Sequence, residues 1–262
     1  MAANQNVKTS TTSSSIQQSQ NILPNIFIHG PPKFSIFLQP NPSHNFHILN
    51  PSCLPPLHQF IATNPHHASS IHAILCTTLF PVNAEVLDLL PSLRLVCAST
   101  AGINHIDLAE CKRRGIHVTD AGNTFSEDVA DMAVGLLIDS LQLTPMYLFL
   151  CCALNDETRH IVNKQVMLAL GKGGIIVNVG RGGLIDEKEL LRCLIEGEIG
   201  GAGLDVFENE PHVPKELFSL DNVVLSPHAA VLTSESFNGI SKVVEENLKA
   251  FFSNKPLITP VI

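Results

Sequence analysis

Three segments, met in one order, constrain this chain most: Val-Asn-Val-Gly-Arg-Gly-Gly over 177–183, Gly-Leu-Asp-Val-Phe-Glu-Asn-Glu-Pro over 203–211, and Ser-Pro-His over 226–228. Each sets a polar residue (Arg181, Glu210, His228) just beyond a short apolar run that reads as a strand. In parallel α/β sheets, ligands sit beyond the carboxyl ends of the strands. The three side chains are therefore expected to face one crevice.

The remaining pattern fits such sheets. Apolar runs at 26–28, 73–76, 94–99 and 116–119 alternate with helical stretches at 83–90 and 106–114, the first capped by Asn83 and the second closed by Gly115. This reads as a small parallel α/β domain. Between Gly30-Pro31-Pro32 and His67 the patterning is weak. Ser126-Glu-Asp opens a long apolar-periodic helix over 129–141 that leaves this first unit, its acids suiting the positive end of the helix dipole. An unbroken apolar run over 146–154 follows and fits a strand buried on both faces. Then come a helix at 163–170, a strand at 174–179, a helix at 186–195, strands at 202–206 and 222–225, and a last helix at 236–252. The second half is thus β-α-β-α-β-β, about half of a doubly wound sheet.

A net charge of -8 argues against binding a phosphate backbone, which needs a basic face. No apolar run is long enough to span a bilayer. Seven cysteines, at 53, 76, 97, 111, 151, 152 and 193, form no C-x-x-C and suit reduced thiols in a cytoplasmic protein. Cys151-Cys152 reads as two small apolar strand residues rather than a redox or metal site, and no metal is expected. Residues 1–21 are rich in Ser, Thr, Gln and Asn and lack Arg, which reads as a disordered tail rather than a transit peptide.

An arginine, a carboxylate and a histidine are parts that suit the reduction of a 2-keto acid. Arg181 offers a planar fork that matches a carboxylate, and the flanking glycines let a ligand come close. His228 can give a proton to a ketone oxygen, with Glu210 beside it to fix its tautomer and raise its basicity. Glu208, two residues away, competes for that role. Asp205 lies within an apolar strand, where a carboxylate is costly unless paired; it either bonds neighbouring backbone or serves the cofactor and His228. Ser99-Thr-Ala-Gly102 ends a strand and opens a helix, so its amides can hold an anion or form an ordinary turn.

These motifs, with Ala-Gly-Ile-Asn-His-Ile-Asp-Leu over 101–108, resemble the D-isomer-specific 2-hydroxyacid dehydrogenases of the plant-type glyoxylate/hydroxypyruvate and hydroxyphenylpyruvate reductase group. The resemblance implies catalytic Arg181, Glu210 and His228, with Arg181 and the amides of Ala101 and Gly102 on the substrate carboxylate. It places Cys151, Val179, Gly180, Asp205, His228 and Ala229 on the nicotinamide half of an NAD(P) cofactor, NADP more than NAD. It implies a flavodoxin-like substrate domain over 25–123, completed by 236–262, after a tail over 1–24. A truncated Rossmann-type parallel sheet spans 124–235. The expected assembly is a homodimer with its active site between the domains.

The chain departs from that family in one decisive way. Gln142 runs almost directly into Met146, where the family has a strand, a G-x-G-x-x-G turn, a helix and a further strand. No G-x-G-x-x-G exists anywhere; Gly171, Gly173 and Gly174 come closest and fail at the last position. About 70 residues are missing, the size of one β-α-β-α-β half. A minor departure is Asn104, where many relatives carry Asp. Two readings follow: a reductase of small 2-keto acids impaired by loss of its phosphate loop, or an inactive form that acts only as a partner or regulator.

Overall fold

The computed structural model describes residues 23–30, 46–49, 56–78, 80–140 and 146–262. The stretch 1–22, Pro31, Pro32, Cys53 and the Leu141-Gln142 junction lie outside the described residues.

Two parallel sheets organise the chain. The first contains β1 (Asn25–His29), β2 (His47–Leu49), β3 (Ile71–Cys76), β4 (Leu95–Ala98) and β5 (His117–Thr119) in the order β2-β1-β3-β4-β5. That order is flavodoxin-like. Its strands are buried on both faces, with Ile74, Val96 and Val118 toward one apolar cluster and Ile28, Leu95 and Cys97 toward the other. The connecting helices are α1 (Leu57–Thr63), α2 (Ala84–Asp88) and α3 (Leu108–Arg114). Asn83 accepts from the Val86 N–H and Asp107 from the Glu110 N–H, so each helix start is capped. Gly115 closes α3 in the left-handed conformation, φ 68°.

Two elements here, β2 and α1, differ from the expectation of weak structure up to His67. Leu57, Phe60 and Ile61 form a short helical stripe buried under the sheet, with the Phe60 ring 5.5 Å from that of Phe27. The surrounding prolines and histidines hide a stripe only seven residues long.

The second sheet contains β6 (Met146–Leu150), β7 (Gly174–Asn178), β8 (Gly201–Leu204) and β9 (Val223–Leu225), again parallel and in chain order. Helices α5 (Lys164–Leu170) and α6 (Glu187–Ile195) pack on one face through Met167, Leu190 and Cys193. Helix α4 (Ser126–Asp139) covers the other face through Leu136, against Ile175 and Val177. It approaches β8 so closely that a Cβ on Gly203 would fall 3.0 Å from the Leu136 Cβ.

Helix α7 (Ser234–Phe252) returns to the first sheet, burying Ile240, Val244 and Leu248 against Ile26, Ile28 and Leu95. The last residues then add to the edge of β5, with Val261 N–H bonding the Val118 carbonyl at 2.8 Å. The two units are also tied where α4 and α7 begin, since Asp128 accepts from the Thr233 and Ser236 hydroxyls.

The run over 146–154 is not the doubly buried strand that its composition suggests. Only 146–150 is strand, β6 is an edge, and Met146 and Phe149 are 57% and 42% exposed. Cys151 and Cys152 lie beyond the strand and are exposed. The physical reason is that β7 pairs with one side of β6 and no described strand pairs with the other. An uncharged, apolar edge of this kind templates pairing with other chains. Light scattering of the purified protein is expected to show association that grows with concentration. Phe149→Lys, which adds a charge at an exposed edge position, is expected to reduce it without lowering the melting temperature.

Candidate active site

Buried Asn178, at the end of β7, organises the turn that carries the arginine. Its side chain donates to the Arg181 carbonyl at 2.9 Å and accepts from the Gly180 N–H at 3.1 Å. Gly182 then lies against the loop after β8: a Cβ there would fall 1.8 Å from the Phe207 carbonyl carbon. That loop turns back on itself, with Phe207 N–H donating to Glu210 Oε1 at 3.0 Å. His228, beyond β9, has φ 54°. Its Nδ1 is 2.8 Å from Glu210 Oε2.

The first sheet supplies the facing wall through the segment 99–102 after β4. The Arg181 guanidinium lies on Gly102, where a Cβ would come within 1.9 Å of Nη2. Thr100 fixes this turn by donating to the Gly102 carbonyl at 2.8 Å. Between the walls is a cleft of about 680 Å³ that reaches Thr77, Gly102, Cys151, Val179, Arg181 and His228.

The electrostatics favour an anion. Arg181 donates through Nη1 to the Gly180 carbonyl, but its buried Nε has no protein acceptor. Burial pushes its pKa down and only the Glu210 charge opposes this, which leaves a desolvated cation short of partners. Burial also works against ionisation of Glu210. The hydrogen bonds from His228 and the Phe207 N–H, with the charges of His228 and Arg181, outweigh it and hold the carboxyl below its usual range. A carboxylate can only accept, so His228 Nδ1 carries the hydrogen and Nε2 is left for a ligand.

Arg181, Glu210 and His228 are thus brought together, with the backbone of Gly102 against the arginine. Ala101 is in the same turn at the cleft wall. Cys151, Val179 and Gly180 line the cleft on the second-sheet side. Asp205 is buried and accepts from the Ala229 and Ala230 N–H groups at 2.8 and 3.3 Å, so it holds the backbone after His228. Glu208 does not compete for His228; it bonds His160 Nε2 at 2.7 Å.

Some features of the site escape sequence reading. His105 has both ring nitrogens buried without a partner, and its pKa is pushed down to about 4 by burial and then by Arg181 and His29. Its ring is therefore neutral near pH 7. The Thr77 hydroxyl is likewise buried, unpartnered and at the cleft. Buried Glu187 accepts from the Glu208 N–H. Only Thr77 and Glu187, at a strand end and in the first turn of a helix, have a positional signal in the sequence. Among the described residues no cluster of side chains suits a metal, and no helix is long and apolar enough to cross a membrane.

The nicotinamide half of a dinucleotide fits this cleft: it is apolar on the Val179 side and has His228 and Arg181 at its end. The pyrophosphate half does not fit equally. Its usual cradle is a glycine-rich turn beside the central strands, and here β6 is an edge.

Comparison with known proteins gives the class. Residues 112–230 match the D-isomer specific 2-hydroxyacid dehydrogenase, NAD binding domain. The chain is 44% identical to the glyoxylate/hydroxypyruvate reductase HPR3 of Arabidopsis thaliana, over 75% of this chain and 85% of that one. It therefore belongs to the D-isomer-specific 2-hydroxyacid dehydrogenases, a family of NAD(P)-dependent oxidoreductases. It is also 32% identical to the hydroxyphenylpyruvate reductase of Plectranthus scutellarioides, over 74% of this chain and 87% of that one. Among solved structures it resembles an NADPH-dependent glyoxylate/hydroxypyruvate reductase from Sinorhizobium meliloti in complex with NADP and malonate. There the TM-score is 0.78 and the identity 26%, over 91% of this chain and 97% of that one.

The first alignment also measures the gap. Its 274 positions take in 75% of this chain, about 197 residues, so about 77 positions of the relative face no residue here. That agrees with the missing half-domain.

The low pKa of Glu210 has a consequence for stability. A carboxyl held below its unfolded value stabilises the fold above that value, and the contribution is lost as pH falls through the folded pKa. Thermal melts from pH 7 down to pH 3 should show acid destabilisation, and Glu210→Gln should flatten that part of the curve.

Proposed function

We propose that this protein reduces small 2-keto acids of the glyoxylate and hydroxypyruvate kind with a nicotinamide cofactor, NADPH before NADH. The observation that carries this reading is the His228–Glu210 hydrogen bond across the same cleft as the under-partnered Arg181. The cofactor, when bound, supplies the hydride. Arg181, with the backbone amides of Ala101 and Gly102, holds the substrate carboxylate and orients the carbonyl. The imidazolium form of His228, its Nδ1–H held and its charge stabilised by Glu210, gives its Nε2 proton to the carbonyl oxygen and is left as the neutral Nδ1–H tautomer. Cys151, Val179 and Gly180 border the nicotinamide. Asp205 serves by pinning the backbone of Ala229 and Ala230.

The domain division belongs to the same reading: a substrate domain over 25–123 completed by 236–262, and a shortened cofactor domain over 124–235. The packing of α7 on the first sheet and of α4 on the second supports it. The same reading includes a homodimer, in keeping with the family, and a cytoplasmic setting that suits the reduced thiols.

The absent phosphate loop favours a second reading, an inactive form that acts only through other proteins. The phosphates lose a row of N–H donors and a helix N-terminus, so calorimetry is expected to show NADPH binding weaker than micromolar. NADPH oxidation with hydroxypyruvate decides between the readings. Turnover that rises with NADPH without saturating, and that falls about 10²- to 10⁴-fold in His228→Gln, is the expected result for a reductase. No turnover at any NADPH concentration gives the second reading.

A further inference from the structure

A second histidine–glutamate pair lies just outside the cleft, and the mechanism above does not use it. His160 Nε2 is 2.7 Å from Glu208 Oε1. His160 belongs to the turn before α5, a segment remote in sequence from the Glu210 loop. Its own backbone is held against the arginine turn: His160 N–H donates to the Gly183 carbonyl at 2.9 Å, and Val162 N–H to the Leu184 carbonyl at 3.0 Å. His160 has φ 52°, a conformation that a non-glycine residue keeps only where its surroundings impose it.

Glu208 is held from the other side as well. Its N–H donates to Glu187 Oε2 at 3.0 Å, at the first turn of α6. The neighbouring Phe207 N–H holds Glu210 Oε1. The backbone from 207 to 208 is therefore pinned by Gly182 beneath it, by Glu187 through its amide and by His160 through the Glu208 side chain. His228 and Arg181 act on Glu210, Glu187 lies within reach of both Glu208 and Glu210, and Arg159 is beside Gly183. Without His160, the Glu208 carboxylate, two residues from Glu210, would lose the side chain that hydrogen-bonds it.

We infer that His160 is a positioning residue: by engaging Glu208 it orders the 207–210 loop and reserves His228 for Glu210. The inference rests on the reductase reading for its consequence to catalysis, but the coupling itself concerns only this chain's side chains. Both partners are partly exposed, so the pair is not a large contribution to stability. Its effect is on geometry.

The test is histidine NMR on the full chain, following the His228 ring, in the wild type, His160→Ala and His160→Gln. The His228 Nδ1 proton and titration are expected to change in His160→Ala. They should return to the wild-type pattern in His160→Gln, whose amide can still donate to Glu208. If His160→Ala fails to fold by thermal melting, Glu208→Ala breaks the same pair from the other end and should give the same change at His228. Where turnover is measurable, kcat is expected to fall about three- to tenfold with KM for the keto acid unchanged, and the glutamine variant to restore it. An unaltered His228 signal in a folded His160→Ala or Glu208→Ala protein would overturn the inference. Absent turnover in the wild type with the His228 response intact would overturn the reductase reading alone.

Discussion

The contact between two backbones governs the site. Gly182, having no side chain, lets the arginine turn lie directly on the peptide between Phe207 and Glu208. Any other residue would drive the two apart, since its Cβ would overlap main-chain atoms that have nowhere to go. Everything chemical follows from that closeness. Arg181 leaves the turn toward Gly102, Glu210 leaves the loop toward His228, and Arg181 and His228 line one cleft. The strands underneath only bring the segments to the same level; the glycine sets their separation.

Much of this was legible in the sequence, for identifiable reasons. Polar residues placed just past apolar runs locate a crevice in a parallel sheet, and Arg181, Glu210 and His228 do converge there. The alternation of strands and helices, with Asn83 and Gly115 as punctuation, gives most elements of the first sheet. What was not legible depends on tertiary partners. The short stripe of Leu57, Phe60 and Ile61 is too brief to stand out among prolines. The choice between Glu208 and Glu210 as the partner of His228 turns on His160, which is remote in sequence and whose role no local pattern announces. The exposure of the strand at 146–150 contradicts its own composition, because burial was to come from neighbours that the chain does not carry.

The two halves of a dinucleotide meet unequal reception in this fold. At the cleft proposed for the nicotinamide the walls come from both sheets and include a desolvated cation. At the phosphate end the sheet stops at β6. About 77 positions of the Arabidopsis relative in all face no residue here. The side chains proposed to orient a keto acid and handle its proton lie in the part of the fold that is present.

The pairing of Val261 with Val118 has a temporal meaning. The first sheet, although its strands come early in the chain, closes its far edge with residues 260 and 261, and α7 is laid across it only after the second sheet has been made. Contacts of such long sequence separation form slowly, because loop closure precedes any gain. During synthesis the early strands must wait, half covered, while the second sheet assembles in the interval.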